Sequence, residues 1–254
     1  MRTFKATLLF LFYFAYCQGQ EYVARESFLS PGFIQIKESA NVGLVFKGPS
    51  VNYGMLWCLS NEKRMITFEP ELGLSILFSR DIPALGFYLK PVDFAYLFKF
   101  TIKDDPLYVG PSFNLEYSYN LYPDLQSGFD YWFTNTGFGI HAIYDLRLNS
   151  SAFVIKLASS FAGFTSRQQN YRDPYFYDMG MKHAFSHLHQ DLTFGSFNRY
   201  SCADLEILWK PKPDSRLSIG YELKYSGYFQ APEISVVNHN IKLIFNKKQK
   251  DEKK

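Results

Sequence analysis

The 254-residue chain carries a formal net charge of +3, is 47% hydrophobic and has a mean hydropathy of −0.17. After the first twenty residues no stretch stays apolar for the roughly 18 to 20 positions of a membrane helix, which excludes a helical membrane protein. The modest charge, much of it in a tail from Lys247 to Lys254, gives no reason to expect nucleic acid, and the tail reads as a solvated end. The aromatic share is 19%, carried by 26 Phe and 19 Tyr against 3 Trp, and it suits a lipid-facing surface edged by aromatic belts.

The N-terminus reads as a signal peptide. Arg2 and Lys5 supply the positive start, Ala6 to Tyr16 the apolar run, and Cys17 and Gly19 the small residues at positions −3 and −1 of a cut before Gln20. Export follows. Cys17 also admits a lipoprotein reading, although Tyr16 is bulky where such a box takes Gly, Ala or Ser. Cleavage leaves Cys58 and Cys202 in an oxidising compartment, where they are either a disulfide or two separate buried or lipid-facing thiols.

Beyond the leader the chain alternates with period two. From Ile66 to Phe78 the even positions Ile66, Phe68, Leu72, Leu74, Ile76 and Phe78 face the odd positions Thr67, Glu69, Glu71, Gly73 and Ser75, which is a strand with one apolar face. The pattern recurs from Phe94 to Ile102, Phe113 to Leu121, Phe138 to Leu148, Phe153 to Phe161, Leu217 to Tyr225 and Val237 to Phe245. Such runs exceed a typical soluble strand of about five or six residues and match a tilted bilayer crossing.

The connections set the topology. The links Ser60 to Lys63, Lys103 to Leu107, Asn149 to Ser150 and Lys210 to Ser215 are tight and built from turn formers, whereas Tyr122 to Gly128 and Thr165 to Asp191 are long. Short turns on one side and long loops on the other belong to an antiparallel up-and-down transmembrane β-barrel with an even number of strands. About ten strands are expected within a range of 8 to 12; Asn41 to Leu59 is either one long strand or two folded at Gly48-Pro49, and even parity favours two. The division of the chain is then residues 1–19 signal peptide, 20–32 N-terminal periplasmic lead-in, 33–246 transmembrane β-barrel and 247–254 charged C-terminal tail. The fragments Gly48-Pro49-Ser50-Val51-Asn52 and Gly110-Pro111-Ser112-Phe113-Asn114 are either a weak internal echo or a chance recurrence of a strand-start sequence.

With these features the chain resembles bacterial outer-membrane β-barrel proteins as a class, from Phe33 to Asn246, including a terminal strand His239 to Phe245 that ends in an aromatic. The resemblance implies location in the outer membrane of a Gram-negative envelope and names no substrate. Its partners would be the bilayer and lipopolysaccharide, with other outer-membrane proteins possible and no nucleic acid.

If the apolar face meets lipid, the inward set includes Glu69, Glu71, Glu116, Asp145, Asp204, Glu206 and Glu222 against Lys99, Lys103, Arg147, Lys156, Lys224 and Lys242. Mixed signs in so narrow a lumen predict a salt-bridged plug and not an open pore. The one chemical constellation lies at the end of the longest loop, where His183, Ser186, His187, His189 and Asp191 fall within nine residues. Its alternatives are a solvated loop, a transition-metal site of His183, His187, His189 and Asp191, or a catalytic Ser186 activated by His183 or His187. The last resembles outer-membrane phospholipases and lipid A deacylases, which use His-x-Ser where this chain has His183-x-x-Ser186. No cofactor motif is present. The expectation is a noncatalytic structural barrel or accessory subunit of an envelope complex, with a lipid-modifying hydrolase or a narrow solute channel as alternatives.

Overall fold

The structure is a computed structural model that describes residues 22–39, 43–123, 130–148, 151–167, 188–189, 191–197, 199–212, 215–230 and 233–246. Among them are the strands β1 (Tyr22–Glu38), β2 (Val45–Ser60), β3 (Arg64–Phe68), β4 (Glu71–Ser79), β5 (Ile82–Ile102) and β6 (Asp105–Leu121). There follow β7 (Asp130–Leu148), β8 (Ser151–Arg167), β9 (Thr193–Ser196), β10 (Tyr200–Lys210), β11 (Leu217–Tyr228) and β12 (Ile234–Asn246). All pairings are antiparallel, and the sheet closes because β1 pairs with β2 on one side and β12 on the other. Closure gives the strands of the main wall a partner on both sides, as a bilayer requires, while β9 at the long-loop end pairs with β8 alone.

β3 and β4 both lie between β2 and β5, and β9 and β10 both pair with β8, so each couple fills a single position. The wall therefore has ten positions. Pro70 separates β3 from β4 because it has no N–H to give the ladder, although its carbonyl still accepts from the Met55 amide at 3.1 Å.

The count matches the expectation, but its first two members differ. Strand pairing begins at Tyr22, so most of the segment expected to lead into the barrel from the periplasm forms β1, and Val45–Ser60 is one strand with no fold at Gly48-Pro49. The reason is local. A Cβ on Gly48 would lie 2.0 Å from the Ile76 carbonyl oxygen, so glycine here serves close approach of β2 to β4 and not a turn. The β2–β4 register passes from Lys47↔Phe78 to Ser50↔Ser75 without a partner for Pro49, where a missing N–H costs no ladder bond. Gly110-Pro111 repeats the device between β5 and β6: the register passes from Ala95↔Ser112 to Phe98↔Val109, and a Gly110 Cβ would meet the Tyr96 carbonyl at 2.0 Å. The internal echo thus has one structural meaning at both sites.

The connections 61–63, 103–104, 149–150 and 211–216 lie at the same end as Tyr22 and Asn246. The opposite end carries the long connections 122–129 and 168–192. It also holds the tight turn Arg80-Asp81, whose first residue takes a left-handed φ of 55°.

Alternation decides the facing. Leu72, Leu74, Ile76 and Phe78 of β4, Phe98 and Phe100 of β5, Phe138 and Ile140 of β7, and Ile241 and Phe245 of β12 are all exposed on the outer wall. One irregularity matters for the interior. Between Leu89 and Val92 the β5–β6 register shifts by one residue, beside Pro91, and the bulge exchanges the inward parity of β5. Gly86, Tyr88 and Lys90 line the interior before it, and Asp93, Ala95 and Leu97 after it.

Candidate functional site

The interior is built in layers, each set by which inward positions of neighbouring strands carry large apolar, small or charged residues. At the long-loop end Ile36, Phe46, Leu77, Tyr122, Phe133 and Tyr228 pack into an apolar and aromatic cluster. Buried Glu38 joins it, accepting a hydrogen bond from the Tyr122 hydroxyl at 3.0 Å. At the short-turn end Phe28, Ala95, Leu97, Ile143, Leu208 and Ile244 form a second apolar cluster. Apolar side chains therefore pack inside the cylinder toward both of its ends.

Between them lies a layer of ion pairs. Lys242 Nζ contacts Glu69 at 2.6 Å, Glu206 at 2.7 Å and Glu222 at 3.3 Å, and sits 4.0 Å from the centre of the Phe28 ring. Lys224 bridges Glu71 at 2.6 Å and Glu222 at 3.3 Å, and Lys156 bridges Glu206 at 3.1 Å and Glu69 at 3.4 Å. Lys90 holds Asp93 at 2.6 Å and Glu71 at 3.8 Å. Asn240 Nδ2 donates to Glu222 at 2.9 Å. Each ammonium meets at least two carboxylates, the arrangement that offsets the desolvation of charges taken out of water.

Glu69, Glu71, Glu206, Glu222, Lys156, Lys224 and Lys242 were legible as inward charges from alternation alone. Glu116 and Asp204 line the space above the layer. Lys99, Lys103 and Arg147 lie exposed toward the short-turn end with half-buried Asp145, apart from the network. Lys90 and Asp93 escaped the sequence reading because the bulge puts an even and an odd residue on the same face. Pro91 between them was the available signal, since proline inside a strand pattern marks a bulge or an edge.

Of the loop candidates, His183, Ser186 and His187 lie outside the described residues. His189 Nε2 is 2.9 Å from the hydroxyl of Tyr117, whose ring faces the outer wall of β6. Asp191 is exposed with φ of 52°, and its carbonyl accepts from the Thr193 hydroxyl at 3.1 Å. Among the described residues, Glu69, Glu206 and Glu222 bring carboxylate oxygens within 4.8 Å of one another, close enough for a metal ion, but the Lys242 ammonium already occupies the centre. Cys58 near the short-turn end of β2 and Cys202 near the long-loop end of β10 are both free, too far apart along the barrel axis to bridge.

A closed antiparallel wall that is apolar outside and charged inside is stable only with lipid around it, and short turns at the end that holds both termini complete the pattern. The chain is a closed antiparallel β-barrel of the kind that spans a bilayer. No protein-family model and no curated protein matches the barrel. Solved structures similar to it include the outer membrane protease OmpT from Escherichia coli, at 7% identity and a TM-score of 0.48, covering 90% of this chain and 98% of that one. The translocator domain of the autotransporter NalP from Neisseria meningitidis follows at 7% identity and a TM-score of 0.42, covering 96% of each. The attachment invasion locus protein Ail of Yersinia pestis matches at 8% identity and a TM-score of 0.30, covering 88% of this chain and 99% of that one. The assignment rests on the barrel's own closure, facing and turns, and not on these neighbours.

Proposed function

We propose that the barrel is a noncatalytic, non-conducting component of the outer membrane, acting as a structural barrel or as an accessory subunit of an envelope complex. Lipopolysaccharide and other outer-membrane proteins are its partners in this reading. The observation that carries it is Lys242, held by Glu69, Glu206 and Glu222 in the barrel's cross-section and capped from below by Phe28. A lumen cross-braced in this way gives a rigid body to build on and leaves solutes no through-path. A single-sign lining would have favoured ion selection instead.

Two measurements test the proposal. Purification in mild detergent followed by mass spectrometry is expected to bring down the same envelope protein reproducibly, and planar bilayers containing the purified barrel are expected to stay silent. Stepwise conductance would overturn the non-conducting reading. Hydrolysis of phospholipid or lipopolysaccharide by the purified protein, lost in Ser186→Ala, would overturn the noncatalytic one.

A further inference from the structure

The ionic layer and the upper apolar cluster do not meet everywhere. Between them lies a cavity of about 80 Å³, room for about five to eight water-sized atoms at roughly 10 to 15 Å³ each. The sequence makes this space. Across β2, β4, β5 and β6 the inward residues of one rank are Ser50, Ser75, Gly86 and Asn120, laterally paired in that order, and Asn52 pairs with Gly73 in the rank below. Small side chains from neighbouring strands thus meet in one rank.

The cavity contains hydrogen-bonding groups with nothing to bond. Asn52 and Asn120 are 3% and 1% exposed, both line the space, and the Nδ2 of each lacks a hydrogen-bond partner. Their amide oxygens are turned to the glycine floor: Asn52 Oδ1 lies 2.1 Å from where a Gly73 Cβ would be, and Asn120 Oδ1 3.0 Å from that of Gly86. The amino ends are the parts of these two lining side chains without a partner. A buried donor without an acceptor costs about 1 to 3 kcal/mol, so two of them in the wall of one space favour an occupant that reaches them.

The remaining polar lining narrows its chemistry. Glu116 accepts from Asn114 Nδ2 at 2.9 Å, and Asp204 has the Cys202 thiol at 4.0 Å, so both carboxyl groups keep acceptor capacity toward the cavity. Lys224 also lines it, but Glu71 and Glu222 already hold its ammonium. An anion would meet Glu116 and Asp204 with no free cation among the described lining residues to offset them, and a cation would leave both asparagine donors unmet. An oxygen that accepts and donates satisfies both sets. We propose that the cavity is a binding site for a small neutral polyhydroxylated solute of about glycerol to erythritol size, its oxygens accepting from Asn52 and Asn120 and its hydroxyls donating to Glu116 and Asp204.

The site goes beyond the structural role proposed above and is separable from it, since a solute held above the ion-paired layer has no path through the barrel and produces no conductance. The test is saturation-transfer NMR on the full barrel folded in micelles, titrated with glycerol and with erythritol. Saturable transfer is expected for at least one of the two, weakened at least tenfold in an Asn52→Leu/Asn120→Leu variant and unchanged in Lys37→Ala on the outer wall. If the double variant does not fold, crystals of the unaltered barrel soaked in 3-bromo-1,2-propanediol decide, with an anomalous bromine peak expected between Asn52 and Asn120. No saturable transfer from either polyol, or only water in the soaked cavity, overturns the proposal.

Discussion

Lys242 and Glu69 are 173 residues apart in the chain and 2.6 Å apart in the barrel. They do not sit on adjacent strands, because β1 and β2 separate β12 from the β3–β4 position, so the pair braces the lumen and not the wall. Lys242→Met would leave Glu69, Glu206 and Glu222 facing one another without their shared cation. Removing one partner of a buried charged group costs about 3 to 5 kcal/mol, and equilibrium urea unfolding in lipid vesicles should show a loss of that size. A change below about 1 kcal/mol would mean that the layer is not a structural brace.

The facing predicts a contrast on β5. Leu89 is 46% exposed on the outer wall in the middle of the strand, and Leu89→Arg would place a charge against lipid at a cost of about 2 to 4 kcal/mol near the midplane. Lys99→Gln further along the strand, turned the other way and exposed toward the short-turn end, should cost less than about 0.5 kcal/mol. Equal effects of the two changes in vesicle folding assays would reverse the assigned faces.

Orientation is open to labelling. In a Cys58→Ser/Cys202→Ser background, a cysteine at Arg80 should react with an impermeant maleimide on intact cells, and one at Lys212 only after the outer membrane is opened. Reaction at position 212 in intact cells would turn the barrel over.

Gly48 tests the close approach of β2 to β4. A Cβ there would fall 2.0 Å from the Ile76 carbonyl, so Gly48→Ala is expected to cost about 1 to 3 kcal/mol by forcing the two strands apart. A hairpin turn at this point would tolerate alanine at a far smaller cost, which thermal unfolding in micelles can resolve.

The bond between Tyr117 and His189 ties the end of the longest connection to the outer wall at 2.9 Å. Tyr117→Phe should speed protease cleavage near His189 several-fold while changing barrel stability by no more than about 1 kcal/mol, a typical net hydrogen-bond contribution. Unchanged cleavage would show that this contact does not hold the segment.

Period-two alternation was enough to read the barrel class, its turn asymmetry and most of its inward charges, because the solvent on each side of a barrel wall selects residue type position by position. Glu69, Glu71, Glu206, Glu222, Lys156, Lys224 and Lys242 could be placed inside without any knowledge of their partners. What alternation cannot carry is a change of phase: the bulge at Pro91 brings Lys90 and Asp93 to one face, and the close approach at Gly48 turns an apparent hairpin into a continuous strand. Nor does local pattern say which lysine meets which glutamate, since Lys242 reaches Glu69 only after closure sets β12 and β3–β4 at their distance across the lumen. The cavity lined by Asn52 and Asn120 has the same origin. Small residues are legible on each strand, but only lateral register gathers them into one space, because pairing between strands is a property of the closed sheet and not of any segment within it.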